Sequence, residues 1–145
     1  FGDISGPVAV TLEPLTVVDN RLVSMQATLE HTAQTDGTAS AKALADILYV
    51  LTGQRHPRVA EGDVPFNRVG VRLAWGDGWL RLEGTLDERG LAMAHRRGDT
   101  DREVLRLPGK SVSMTVVAMR LLRLELARQM AAVGGLDRVS LRRSR

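Results

Sequence analysis

The sequence predicts an α+β domain, mainly an antiparallel β-meander sheet with one or two helices packed on one face. Three observations carry this. Residues 21–30 alternate apolar and polar without a break. Residues 68–86 do the same on both sides of Gly76-Asp77-Gly78. Residues 41–51 repeat their apolar positions at the helical period and carry cap residues at both ends.

In chain order, Val8, Val10 and Leu12 alternate with Ala9 and Thr11, a strand stopped by Pro14, which cannot donate to a ladder. Leu15 to Val18 is a short second run. Asp19-Asn20 reads as a tight turn, because both side chains tolerate the left-handed region. The strand from Arg21 sets Val23, Met25, Ala27 and Leu29 on one face, with Ser24, Gln26, Thr28 and Glu30 on the other. That is the pattern of a half-buried antiparallel strand, and 8–12 or 15–18 should pair with it. Residues 31–38 are polar, contain Asp36-Gly37 and read as a loop.

The helix at 41–51 has Ser40 or Thr38 as its N-cap and Gly53 as its C-terminal glycine. Leu44, Ile47, Leu48 and Leu51 form its apolar stripe. Residues 54–65 are polar and read as an exposed linker inside the domain. The hairpin follows, with Val69, Val71, Leu73 and Trp75 on one strand and Leu80, Leu82, Gly84 and Leu86 on the next. Asp87-Glu88-Arg89-Gly90 predicts a second turn and Leu91–Ala94 a third strand, so 66–94 reads as a three-stranded meander. Arg96 to Glu103 reads as a polar loop. Val104–Leu107 and 111–116 are strand-like. From Val117 the composition turns helical, with Met119, Leu122, Leu126, Met130 and Val133 on one face and Gly134-Gly135 as a stop. Leu122, Leu124 and Leu126 also fit a strand; helix over 117–132 is the favoured reading, with a short strand at 136–141.

The chain has 145 residues, enough for one domain with its own core; 43% are hydrophobic, 26% charged and 3% aromatic. The core must come from Leu, Val, Ala and Met. There is no cysteine, which excludes disulfides, thiolate metal sites and Cys nucleophiles. The net charge is +3, but the basic residues are nearly all Arg and mostly interleaved with acids, apart from the short tail 141–145. Nucleic acid is therefore not an expected partner. No apolar run approaches the roughly 20 residues of a membrane-spanning helix. No secretory leader is visible, and a start at Phe1 suggests a fragment of a longer chain.

Few residues suggest chemistry. His31, His56 and His95 lack metal-ligand spacing. The Gly-x-Ser-x-Gly nucleophile pattern is absent. Gly76-x-Gly78 joins strand to strand, whereas a nucleotide loop joins strand to helix. Asp99, Asp101 and Glu103 lack the spacing and glycine of a calcium loop. The expectation is a non-enzymatic protein with no metal or cofactor. Trp75 and Trp79 flank the hairpin turn, where they either pin the register or form a rim contact with a ligand or membrane. Arg120 and Arg123 on the second helix belong to the same rim or membrane-contact class, against ordinary packing of that helix on the sheet.

The run Phe66-Asn67-Arg68-Val69-Gly70-Val71-Arg72-Leu73-Ala74-Trp75-Gly76-Asp77-Gly78-Trp79-Leu80-Arg81-Leu82-Glu83-Gly84-Thr85-Leu86-Asp87 resembles the C-terminal region of AsmA-like proteins of bacterial envelopes. Those repeat a strand, an Asp-Gly turn and a second strand ending in a Gly-Thr-Leu-Asp-like sequence. The segment from Gly2 to Glu30 looks like a second copy, and the two blocks cover about 60 residues. The Leu/Arg helix departs from the pattern. The resemblance implies a curved sheet in the periplasm or cell envelope of a Gram-negative bacterium. It implies a lipid-handling or structural module, with phospholipid or fatty acid held along an apolar groove. The groove candidates are Val69, Val71, Leu73, Leu80, Leu82 and Met25, with Val23, Ala27 and Leu29 on the same face; the same residues would equally make a closed core. The alternative is an interaction module that binds other envelope proteins through its sheet edges.

Overall fold

A computed structural model describes residues 3–13, 15–31, 35–54 and 62–142, with side chains described as far as 132. The fold is α+β with mainly antiparallel sheet. Its elements are β1 (Ile4–Ser5), β2 (Val8–Leu12), β3 (Thr16–Val18), β4 (Arg21–His31), β5 (Gly37–Ser40), α1 (Ala41–Thr52), β6 (Asp63–Phe66), β7 (Arg68–Gly76), β8 (Trp79–Gly84), β9 (Leu91–Arg97), β10 (Thr100–Arg106), β11 (Pro108–Ser113) and α2 (Met114–Arg142).

The two hairpins form where the turn residues predict them. Val18 pairs with Arg21 and Gly76 with Trp79, so each loop has two residues. Asp19, Asn20 and Asp77 all have positive φ, at 49°, 57° and 49°. Two left-handed residues in sequence match the twist of the strands they join. Residues 8–12 and, of the 15–18 run, 16–18 pair with β4, one after the other along the same strand.

β7 is the hub. β4 lies along one side of it, from Ser24 opposite Gly76 to Glu30 opposite Gly70. Along the other side lie β8 and then β9, end to end: β8 faces Val71–Gly76 and β9 faces Arg68 and Val69. β10 and β11 repeat the arrangement one strand further out, on β9 and β8 respectively. Leu107 is the pivot, its N–H donating to the Gly90 carbonyl and its own carbonyl accepting from the Gly84 N–H.

This corrects the three-stranded meander. Leu91–Ala94 does not flank β8 as a third strand; it continues β8's path along β7. The reason is the excursion 85–90. The Asp87 carboxylate accepts from the Arg89 and Leu91 N–H groups at 2.9 and 2.7 Å, which folds the loop back on itself. Gly84 lets the two ends close, since a Cβ there would lie 2.1 Å from the Gly90 oxygen.

Other boundaries also move. Gly37–Ser40 is strand rather than loop, paired with β1 and β6. Asp63–Phe66, at the end of the expected linker, is strand as well, while 55–61 lie outside the described residues. Arg96 to Glu103 is a hairpin. It looks like a loop in sequence because residues 96–103 are exposed, so no apolar alternation marks the strands. α2 begins at Met114, runs through Gly134-Gly135 and includes 136–141, where a strand was expected.

α1 has the expected caps. Ser40 Oγ accepts from Ala43 N–H at 3.1 Å, and Thr38 instead pairs its hydroxyl with that of Ser5. Leu44 enters a core with Phe66, Val71, Ala92, Met93, Leu105 and Leu107, against which Ile47, Leu48 and Leu51 pack. Phe66 is completely buried. Deleting such a ring costs about 3–5 kcal/mol, which makes it the central anchor of the fold.

Candidate functional site

The register sorts the apolar face of the large sheet into three rows. Val10, Leu29, Val71 and Gly84 align across β2, β4, β7 and β8. Leu12, Ala27, Leu73 and Leu82 form the next row. Met25, Trp75, Leu80 and Val112 form the third, reaching β11. Rows on one face lie about 7 Å apart along the strands.

Contact with the core falls along this series, although Val10 in the first row is 59% exposed and Ala27 in the second is buried. In the first row Val71 belongs to the core and Leu29 packs on it. In the second, Leu82 packs on the core, Leu73 is half-buried and Leu12 is 62% exposed. In the third, all four are only half-buried, and none of them joins the core cluster. α1 has twelve residues, a length of about 18 Å, and covers only part of the face.

Where α1 ends, a cleft of about 490 Å³ opens between its last turns, the start of α2, and β8 with β11. Leu48, Leu51, Leu82, Leu107, Val112 and Val116 give it apolar walls, and Trp79 lies at its edge, 53% exposed. The volume lies in the range of small-molecule sites. Three cations line it: Arg106, Lys110 and Arg120. Arg106 is held by Glu103 at 2.7 Å and by Asp87 at 3.3 Å; the hydrogen bond and charge of Glu103 lead in raising its pKa above the usual value. Arg120 Nη1 donates to the Val50 carbonyl at 2.8 Å. Lys110 is exposed and has no ion pair or hydrogen bond from its side chain to the described residues, so its ammonium can meet an anion.

Trp75 adds a polar group to the third row. Its Nε1 is buried and has no acceptor among the described residues. Leaving such a donor unpaired costs about 1–3 kcal/mol.

The groove candidates therefore separate. Val71 lies in the core. Val69 packs on it and also lines a second, polar pocket of about 300 Å³ with Glu30, His31, Asn67 and Arg68. Leu82 lines the cleft. Met25, Leu73 and Leu80 lie on the half-covered rows. Among the rim candidates, Trp79 and Arg120 line the cleft, Trp75 lies within the third row, and Arg123 is exposed on α2. Sequence reasoning missed Leu48, Leu51, Lys110 and Val116. The helix stripe was legible, but the cleft that its last turn walls together with β11 and α2 was not.

Of the remaining polar groups, His31 lines the smaller pocket, and its Nε2 is likewise buried with no partner among the described residues. His95 is buried with Nε2 3.3 Å from Asp36 Oδ2. His31 packs edge-on against Phe66 at 6.0 Å. Among the described residues, no group of three or more His, Asp or Glu side chains could hold a metal ion. Among them, too, no helix is long and apolar enough to cross a membrane. Comparison of the chain with protein-family models, curated proteins and solved structures found no match.

Proposed function

We propose that this domain is a non-enzymatic lipid-handling module that holds acyl chains against its half-covered sheet face. One observation carries the reading. A single apolar face continues from the core, past the end of α1, into a cleft with apolar walls and an ammonium, that of Lys110, with no partner among the described residues. A fatty acid or phospholipid has the matching chemistry, a long apolar chain ending in an anionic head. The resemblance to AsmA-like proteins supports the setting we propose, the periplasm or cell envelope of a Gram-negative bacterium.

The test is native mass spectrometry of the purified chain before and after incubation with liposomes, followed by organic extraction. Near-stoichiometric phospholipid or fatty acid is expected, with most of it lost in Leu82→Trp, whose larger ring fills the cleft. A clean apo mass after liposome incubation sinks the reading.

A second reading has its own observation. β2 is an edge strand without a charged residue, and Val10 is 59% exposed on it. The opposite edge, β10, carries Asp101, Arg102, Glu103 and Arg106, the usual protection against pairing with another chain. An uncharged edge suits strand addition by another envelope protein.

A further inference from the structure

The cleft at the end of α1 has a limited capacity. A methylene group fills about the 30 Å³ that a water molecule takes in the liquid. The cleft's volume of about 490 Å³ therefore matches about sixteen carbons of a single chain. Two chains of that length need about twice the space. α2 does not enlarge the enclosure. Val116 and Arg120 line the cleft, whereas the apolar stripe foreseen for packing on the sheet, Met119, Leu122, Leu126 and Met130, is turned away and is 49, 60, 50 and 75% exposed. The apolar surface left for a second chain is the row of Met25, Trp75 and Leu80, which lie outside the cleft and are themselves only half-buried.

We infer that the cleft selects a single-chain acid, a free fatty acid of about sixteen carbons with its carboxylate at Lys110, over a diacyl phospholipid. The inference rests on the lipid-handling function proposed above. Charge places the head. Arg106 is neutralised by Glu103 and Asp87, and Arg120 donates to the Val50 carbonyl at the end of α1. Lys110 is left as the lining cation with no partner among the described residues. One ammonium matches the single charge of a carboxylate. Thr52, Gln54, Ser111 and Ser113 complete the lining with polar groups, which suit a head group better than a second chain. Burial sets the preference. A chain that leaves a bilayer keeps its burial only if the cleft receives all of it, and a phospholipid leaves with two. Its second chain, laid on the half-covered row, stays partly in water, at a loss of about fourfold in affinity for each methylene left exposed.

The test exposes the full chain to vesicles holding equal amounts of palmitic acid and dipalmitoyl phosphatidylglycerol, separates the two by sedimentation and measures the lipid that the protein retains. The acid is expected in about tenfold or greater excess over the phospholipid. In a series of saturated acids, retention should hold up to about sixteen carbons and fall about fourfold for each carbon beyond. Lys110→Ala should lower palmitate retention about fivefold and leave that of hexadecanol, which carries no charge, unchanged. Lys110 is exposed, so the variant should melt with the parent. Phospholipid retained as well as the acid, or retention undiminished in acids well beyond that length, overturns the single-chain assignment and leaves the lipid-handling function standing. Palmitate retention unchanged in Lys110→Ala overturns the placing of the carboxylate. Retention of neither lipid overturns both proposals.

Discussion

The guanidinium of Arg120 closes the C-terminus of α1 by donating to the Val50 carbonyl at 2.8 Å. α1 has no basic residue in its own last turn, so α2 supplies the cation that a helix C-terminus favours. The approach is close enough that a Cβ on Gly53 would lie 2.6 Å from Arg120 Nη2. Gly53 also has φ +77° and returns its N–H to the Tyr49 carbonyl. Cap, helix contact and cleft wall are therefore one structure.

Removing either partner should loosen it. Arg120→Ala should cost about 1.5 kcal/mol, near the worth of a charge-assisted hydrogen bond. Gly53→Ala should cost about 1–2 kcal/mol from the left-handed backbone alone. Thermal melts report both, each as a fall in Tm of about 3–6 °C. Equal Tm in Arg120→Ala would mean that α2 is held by Val117 and Leu124 without the cation.

Acid should act through Asp87. The Leu91 N–H bond, the largest cause, with Arg89 N–H and Arg106, holds its carboxyl below the usual value of 3.8. A lowered folded pKa means that the ionised carboxylate favours the fold. Its contribution is complete above the ordinary carboxylate pKa and is lost as pH falls through the lowered value. Asp87→Asn should therefore lower stability near neutrality and flatten the decline below about pH 4. Urea melts across pH check this. An acid limb as steep as in the parent would assign that decline to other carboxylates.

Local signals were legible wherever one face met the core and the other met water. β4, β7 and β8 follow their alternation, and α1 follows its stripe and caps. The signal failed where both faces are wet: Arg96–Glu103 is a hairpin with no apolar side to announce it. It failed again where pairing depends on a tertiary pivot. Nothing local in Leu91–Ala94 reveals that Leu107 bridges Gly84 and Gly90. For the site, the face carrying Met25, Leu73, Leu80 and Leu82 was legible, but how far α1 covers it was not. α2 is the sharpest case, since its apolar stripe was visible while its direction depends on Arg120 and Val117 docking the other side.

The free edge offers a further check. Ala9 is exposed on β2, opposite Glu30. Ala9→Lys places a charge on an unprotected edge, next to a carboxylate that tolerates it, and should change stability by less than about 0.5 kcal/mol. If the edge recruits strands, concentration-dependent self-association by analytical ultracentrifugation should fall in this variant. A parent that is monomeric at every concentration removes self-pairing and leaves only a foreign strand.

Trp75 allows the lipid reading to be tested at a single residue. Replacing Trp79 by Phe leaves Trp75 as the only indole in the chain, on the row between Met25 and Leu80. Its ring lies on a half-buried row, so it reports on acyl chains laid against that face. Phospholipid with brominated acyl chains should then quench its fluorescence, because bromine must come into contact with the ring. Trp75→Phe should change stability by under about 1 kcal/mol, since loss of ring area is offset by loss of an unpaired buried donor. Lipid retention should nevertheless fall several-fold. Unquenched Trp75 fluorescence in Trp79→Phe under saturating lipid would place the acyl chain elsewhere, and equal retention in Trp75→Phe would remove this ring from the proposed contact.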